Sequence, residues 1–104
     1  MQKRRFEILL PRTHNDGRPV DPLLIEQTRQ ELVAHFTAIS FDSGEVRGTW
    51  VHAGIRHEDQ LLRLSVDVDD TPENYEFVLS YKTVLMERFE QIEIYIASYP
   101  VDIL

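Results

Sequence analysis

The sequence predicts an α+β fold, with a four-stranded antiparallel sheet and two helices that cover one of its faces. The first observation is the period of two in residues 62–69, where apolar and polar side chains alternate as in a half-buried strand. The second is a pair of helix starts, Asp21-Pro22 and Thr71-Pro72, each followed by apolar residues at helical spacing. Strand patterns stand before, between and after these helices, which places both helices in crossover connections.

Length and composition indicate one globular domain that spans residues 1–104. Apolar residues make up 42% of the chain and charged residues 28%, which is ordinary for a globular protein. The absence of cysteine excludes disulfides and thiolate chemistry. The net charge of −7 argues against a nucleic-acid partner, because it would repel phosphates. No apolar run has the length of a membrane span or the form of a secretory signal, so we expect a cytoplasmic protein without a membrane partner.

The first half of the chain is predicted to form a strand, a loop and a helix. Residues 6–10 alternate as a strand that Pro11 ends, because proline cannot donate to a sheet ladder. The segment RTHNDGRPVDP is dense in turn formers and predicts a long loop. Asp21 is the predicted cap of a helix over residues 22–38, since its carboxylate can accept bonds from the free amides at a helix start. Residues 41–44 then predict a turn.

The second half is predicted to form a hairpin, a helix and a final strand. The hairpin occupies residues 46–70, and its tip is predicted at residues 54–59. Thr71 is the predicted cap of a helix over residues 72–89. The last strand covers residues 91–97 with its isoleucines pointing inward, and Pro100 is predicted to stop it.

The order strand, helix, strand, strand, helix, strand predicts the ferredoxin-like fold, in which both crossovers are right-handed. The expected strand order across the sheet is fourth, first, third, second. The predicted core consists of the apolar residues that face the sheet–helix interface: Phe6, Ile8, Ile25, Leu32, Phe36, Leu62, Leu64, Val66, Val78, Leu85, Phe89, Ile92 and Ile94.

Several stretches carry a resemblance to known proteins, namely GTW followed by a glycine and HE, the strand LLRLSVDV, the helix end YKTVLMERFEQ and the segment IEIYI. With them the chain resembles small uncharacterised bacterial proteins that have the ferredoxin-like fold. In topology alone it is similar to the dimeric α/β-barrel superfamily, which includes small monooxygenases, dismutase-like haem enzymes and ligand-binding regulators. Topology does not determine chemistry, and no catalytic signature of these enzymes is matched, so no active site is carried over to this sequence.

The sheet face away from the helices, here called the open sheet face, is where we expect a site. By alternation it carries the polar residues of the third strand and the outward residues of the fourth. Trp50 and His52 join it if Val51 points towards the helices. Large aromatic side chains on an exposed sheet face indicate a partner or a ligand. The candidate ligand or dimer face consists of Trp50, Arg63, Glu93 and Tyr95.

His52 is the candidate for acid–base chemistry, because an unperturbed histidine titrates near neutral pH. Glu7 and Asp67 are candidates to orient it or to pair with it. The plainer interpretation is a surface or interface histidine without a catalytic part. His52, His57 and Glu58 are residue types that bind first-row metals, but their spacing matches no recognised zinc motif. We therefore expect neither a metal nor another cofactor.

Two functions from different classes follow from these features. The first is a homodimeric binding or structural module that uses the open sheet face as its contact surface. The alternative is a small enzyme of the dimeric α/β-barrel type, with a pocket lined by His52, Trp50 and Tyr95. A small-molecule ligand is compatible with either function. A nucleic-acid-binding module ranks below both, because the exposed strand positions are mostly acidic.

Overall fold

The computed structural model describes residues 2–37 and 40–104, with the backbone alone for residues 40–44. The elements in chain order are β1 (Lys3–Pro11), α1 (Pro22–Phe36), β2 (Ser40–His52), β3 (Ile55–Asp69), α2 (Pro72–Arg88) and β4 (Ile96–Val101). The strands form a four-stranded sheet in the order β2-β3-β1-β4, and all neighbouring strands are antiparallel. The predicted α+β class is therefore confirmed.

Both helices begin where the sequence predicts, at an Asp-Pro or a Thr-Pro step. The side chain of Asp21 accepts a hydrogen bond from the Leu23 amide at 3.0 Å. The hydroxyl of Thr71 accepts one from the Asn74 amide at 3.2 Å. Each cap satisfies an amide that has no partner inside the helix, which is why these residue types start helices.

Both helices end slightly earlier than predicted. Helix α1 ends at Phe36, because Thr37 adopts a left-handed conformation with φ of 68° that cannot continue the helix. The predicted end at Ala38 lies outside the described residues. Helix α2 ends at Arg88. Neither helix is long and apolar enough to cross a membrane, and the described residues contain no other helix.

The core lies between one face of the sheet and both helices. Alternate residues of β1 and β3 are buried against the helices. Leu64 of β3 belongs to one cluster with Leu32 of α1 and Leu85 of α2, so both helices cover the same sheet face. Most predicted core residues are buried, namely Phe6, Ile8, Leu32, Leu62, Leu64, Val66, Val78, Leu85, Phe89 and Ile94. Ile25 and Phe36 are partly buried against this cluster.

The last strand differs from the prediction. It begins at Ile96 rather than at residue 91, and it contains Pro100, which the sequence predicts as its end. Pro100 pairs with Arg4 on an edge strand, where one side of the backbone needs no hydrogen-bond partner in the sheet. Ile92 is 50% exposed and is not a core residue. It lies in the segment 91–95, which is not part of the strand, so the predicted alternation does not apply there.

The turn of the hairpin is tighter than predicted. Strands β2 and β3 are joined by Ala53 and Gly54, whose φ values are 51° and 77°. Two successive residues with positive φ form a type I′ turn, whose twist matches that of the flanking strands. The predicted tip at residues 54–59 is therefore wrong, since His57 and Glu58 belong to β3.

Strand β2 also begins earlier than predicted. Residues 41–44 belong to the strand, so the turn predicted there is wrong. The pairing with β3 shifts in register between Asp42 and Val46. A bulge of this kind accommodates extra residues without ending the strand, which explains why a turn-like composition does not break it.

The loop between β1 and α1 is closed by backbone hydrogen bonds. The Val20 amide donates to the Arg12 carbonyl at 2.9 Å, and the His14 amide donates to the Arg18 carbonyl at 2.8 Å. Val20 is buried in the core. The loop is therefore a small hairpin, and Val20 at its end packs in the core between the sheet and the helices.

Candidate functional site

Trp50 lies on the open sheet face. In the β2–β3 ladder it pairs directly with His57, and directly paired residues project to the same face of a sheet. His57 is odd-numbered in β3, whereas Leu62 and Leu64, which face the helices, are even-numbered. Alternation along β3 therefore directs His57 and Trp50 away from the helices, and His52 shares the alternation of Trp50.

One half of the open sheet face carries charges that are paired within the chain. Arg5 donates two hydrogen bonds to Asp67, at 2.7 and 3.0 Å. This contact holds the pKa of Asp67 below its usual value. The Tyr99 hydroxyl donates to Glu7 at 2.7 Å. This part of the face, here called the charged half, consists of Lys3, Arg5, Glu7, Asp67, Asp69 and Tyr99.

The other half of the open sheet face forms an apolar groove with a cavity of about 330 Å³. The groove lies between the sheet and the segment 91–95 that precedes β4. Its apolar lining consists of Leu9, Pro11, Val46, Trp50, Leu61, Ile94 and Tyr95. Asp59, Gln91 and Glu93 add polar groups to it. Small-molecule sites have volumes of about 300–1,000 Å³ and a mostly apolar lining with a few polar groups, so the groove has the form of a binding site.

Trp50 is held in the groove by two contacts. Its indole Nε1–H donates a hydrogen bond to the Asp59 carboxylate at 2.6 Å. Its ring stacks on His57, with the ring centroids 4.2 Å apart and the planes 15° from parallel. Gly48, opposite Asp59, leaves little spare room, since a Cβ there would lie 3.1 Å from Cδ1 of Leu61. Trp50 therefore presents a fixed aromatic surface.

Glu93 and Tyr95 reach the groove from the segment before β4 rather than from a strand. Glu93 forms an ion pair with Lys82 of α2 at 2.7 Å. The hydrogen bond from Lys82 holds the pKa of Glu93 below its usual value. Tyr95 is 63% exposed, while its carbonyl accepts a hydrogen bond from the Leu9 amide at 3.0 Å. The Tyr95 backbone is thus fixed to β1, and its ring lies at the rim of the groove.

The catalytic candidates are not brought together by the sheet. His52 lies beside the hairpin turn, opposite Ile55, whereas Asp67 lies opposite Arg5. Ile55 and Asp67 lie near opposite ends of β3. At about 3.3 Å per residue, His52 and Asp67 are therefore roughly 40 Å apart along the strand. Glu7 lies in the charged half and is bonded to Tyr99. The register of the sheet therefore places neither Glu7 nor Asp67, the two predicted partners, beside His52.

His52, His57 and Glu58, the residue types that could bind a metal, do not point to one common site. His57 and Glu58 are neighbours on β3, so their side chains leave the strand on opposite faces. Glu58 pairs with Arg56 at 2.9 Å. Within residues 2–37 and 45–104, no group of three or more His, Asp or Glu side chains is arranged to hold a metal ion. His52, His57 and Glu58 are therefore not a ligand set.

The sequence reasoning missed Leu61 and Asp59 as groove residues. A signal for Leu61 exists in LLRLSVDV, where two successive leucines make both faces of the strand apolar. The stretch ILLP of β1 carries the same signal. Arg63, a candidate of the open sheet face, lies opposite Leu9 and so stands between the groove and the charged half.

A buried histidine outside the open sheet face was also missed. The His14 side chain is 8% exposed, and its Nδ1 lies 3.4 Å from the Glu90 carboxylate, without the geometry of a hydrogen bond. Arg18 reaches the same carboxylate at 3.5 Å. These contacts tie the loop after β1 to the turn after α2, which is a structural role.

The chain matches no protein-family model, no curated protein and no solved structure. Its function is therefore argued from the groove and the faces around it.

Proposed function

We propose that this protein is a binding module with the ferredoxin-like arrangement, and that it forms a homodimer through the open sheet face. The observation that carries the proposal is an apolar groove, bordered by Trp50 and Tyr95, on the side of the sheet that the helices leave uncovered. Exposed aromatic residues in an apolar patch with polar surroundings are typical of interface centres. The strand order β2-β3-β1-β4, with both helices on one face, supports the ferredoxin-like arrangement.

A second copy of the chain suits this face because the charges there are already compensated. Arg5 is bonded to Asp67, and Lys3 to Asp69. A facing copy therefore meets paired groups, although the chain as a whole has a net charge of −7. A two-fold axis near the groove brings Trp50 and Tyr95 of both protomers into one apolar centre, with the charged halves as its polar rim.

The alternative, a small enzyme with His52, Trp50 and Tyr95 around a pocket, receives less support. Trp50 and Tyr95 line the groove, but His52 stands beside the hairpin turn and is not among the lining residues. A general base must lie within hydrogen-bond reach of the proton it removes. The groove therefore favours binding over acid–base catalysis.

Self-association is tested by light scattering coupled to size-exclusion chromatography at micromolar concentration. The wild type is expected at twice the 12.2 kDa mass of the chain. Tyr95→Lys is expected at the mass of one chain, because it places a strongly hydrated charge in the contact. Tyr75→Lys is the matched control, since it makes the same substitution at a tyrosine that is 44% exposed on α2, on the other side of the sheet.

The control is expected to remain dimeric, because the contact is centred on the groove. Dissociation of both variants would contradict a groove-centred contact. A monomeric wild type whose Trp50 emits like a water-exposed indole would overturn self-association through the open sheet face. The chain has one tryptophan, so this emission reports on the groove alone.

A further inference from the structure

Asp59 is a carboxylate in the wall of the apolar groove. It is half-buried, and it accepts a hydrogen bond from the Trp50 indole at 2.6 Å. Within the described part of the chain it forms no ion pair. The other carboxylate of the groove, Glu93, is already paired with Lys82 at 2.7 Å. A carboxylate that is partly removed from water favours a cationic partner, so the groove offers an unused site for positive charge.

The basic residues near the groove do not fill this site. Arg47 contributes to the lining, but it pairs with Gln60 in the ladder, so its side chain leaves β2 on the face opposite to Trp50. Arg63 is on the open sheet face, opposite Leu9, and is not among the lining residues. Of the two carboxylates that line the groove, Asp59 and Glu93, only Asp59 lacks a basic partner among the described residues.

We propose that the groove binds a small molecule that combines a flat apolar ring with a protonated amine. The ring lies against Trp50, Leu9 and Leu61, and the ammonium group donates to the Asp59 carboxylate. The cavity of about 330 Å³ suits a small ligand, since it is near the lower end of the range for such sites. This inference rests on the proposed function, because it uses the same groove, but it does not require a second copy of the chain.

The fixed position of Trp50 favours such a ligand. The hydrogen bond to Asp59 and the stacking on His57, with centroids 4.2 Å apart, leave the indole little freedom to lose on binding. The electron-rich face of an indole also attracts cations. The same two residues therefore recognise both parts of the ligand, the ring and the charge.

The test uses three probes with the same phenyl ring and different charge: 2-phenylethylammonium, 2-phenylethanol and 3-phenylpropanoate. Binding is followed by the emission of Trp50, the one tryptophan of the chain, and by calorimetry. We expect the cation to bind about tenfold more tightly than the neutral alcohol, because it adds a charge-assisted hydrogen bond. The anion is expected to bind most weakly.

Two matched variants assign the charge preference. Asp59→Asn keeps an oxygen that can accept the Trp50 Nε1–H and removes the charge, so the cation should bind only as well as the alcohol. Asp67→Asn removes a charge from the charged half of the same face and should leave all three affinities unchanged. Unchanged affinity for the alcohol in Asp59→Asn shows that the groove is intact.

Equal affinity for cation and alcohol in the wild type, or no binding of any probe up to millimolar concentration, would overturn the inference. A preference for the cation that survives in Asp59→Asn would also contradict it. Light scattering on the same samples separates the two proposals. A dimer without cation preference refutes the ligand class alone, and a monomer with cation preference refutes self-association alone.

Discussion

Arg88, at the end of α2, donates two hydrogen bonds to the Glu31 carboxylate of α1, at 2.8 and 3.0 Å. The same guanidinium donates to the Thr28 hydroxyl at 2.9 Å, and the Tyr81 hydroxyl donates to Glu31 at 2.8 Å. The Arg88 side chain is 12% exposed and the Glu31 side chain 41%, so the guanidinium lies largely out of water while the carboxylate is partly solvated. This interhelical network of Thr28, Glu31, Tyr81 and Arg88 joins the two helices above the sheet.

Replacing Arg88 by Met should lower the free energy of unfolding by about 1–3 kcal/mol, because Glu31 and Thr28 lose a donor while they remain partly or fully buried. Denaturant unfolding measures the change. Arg29→Met is the control, since Arg29 pairs with Glu26 on the exposed surface of α1 and such pairs contribute little. Equal losses in the two variants would contradict a special role for the network.

Tyr81 should ionise at a pH well above the ordinary range for tyrosine. Burial, reinforced by the hydrogen bond to Glu31, raises the pKa of Tyr81 to about 12. Alkaline titration followed by phenolate absorbance should therefore show a late phase of one tyrosine, which Tyr81→Phe removes. A late phase that persists in Tyr81→Phe would assign the shift to another residue.

The raised pKa of Tyr81 also predicts how stability changes with pH. Its folded-state pKa of about 12 lies above the ordinary value of 10.0. The stabilisation is therefore complete below pH 10 and is lost as the pH rises towards 12, by about 3 kcal/mol in total. Over this range the unfolding free energy of the wild type should fall relative to that of Tyr81→Phe. A constant difference would refute the linkage.

The alternation of apolar and polar residues predicted the buried face of β3 correctly. It did not predict where β4 begins. In β3 the alternation of Leu62, Leu64 and Val66 with polar residues fixes which side is buried. The isoleucines at 92, 94 and 96 alternate just as regularly, but only Ile96 lies in β4. Alternation gives the face of each residue in a strand. It does not say where the pairing with a neighbouring strand begins.

The groove could not be predicted from the sequence, because it depends on the length of the β2–β3 turn and on the register that this turn sets. Trp50 meets His57 and Asp59 only because the turn consists of Ala53 and Gly54, which sets the register of β2 against β3. The longer tip predicted from sequence would have left His57 and Asp59 in a loop. Tyr95 reaches the rim from an irregular segment, where the alternation of the isoleucines predicted a strand. The open sheet face was foreseeable, but its division into a groove and a charged half was not.

Replacing Leu64 by Ala should lower the free energy of unfolding by about 2–5 kcal/mol, because Leu64 is fully buried between β1 and both helices. Denaturant unfolding measures the loss. Leu79→Ala is the control, since Leu79 is 48% exposed on α2 and should lose much less. A loss at Leu64 no larger than that at Leu79 would contradict the register of the central strands.

The hairpin turn offers a stabilising substitution. Ala53 adopts φ of 51°, in the left-handed region. Most residues with a Cβ avoid this region, but asparagine tolerates it because its side chain can form local hydrogen bonds. Ala53→Asn produces the Asn-Gly pair preferred in type I′ turns and should raise the free energy of unfolding by about 0.5–1 kcal/mol. Gly54→Ala should lower it, because Gly54 has φ of 77° although its Cβ position is open space.

Denaturant unfolding of both turn variants tests this prediction, and the emission of Trp50 gives a second readout. Ala53→Asn leaves the register of β2 against β3 unchanged, so Trp50 keeps its stacking on His57 and its emission maximum should not move. A gain in stability together with a shifted maximum would indicate a changed register rather than relief of backbone strain. Destabilisation by Ala53→Asn would show that the turn is not of type I′.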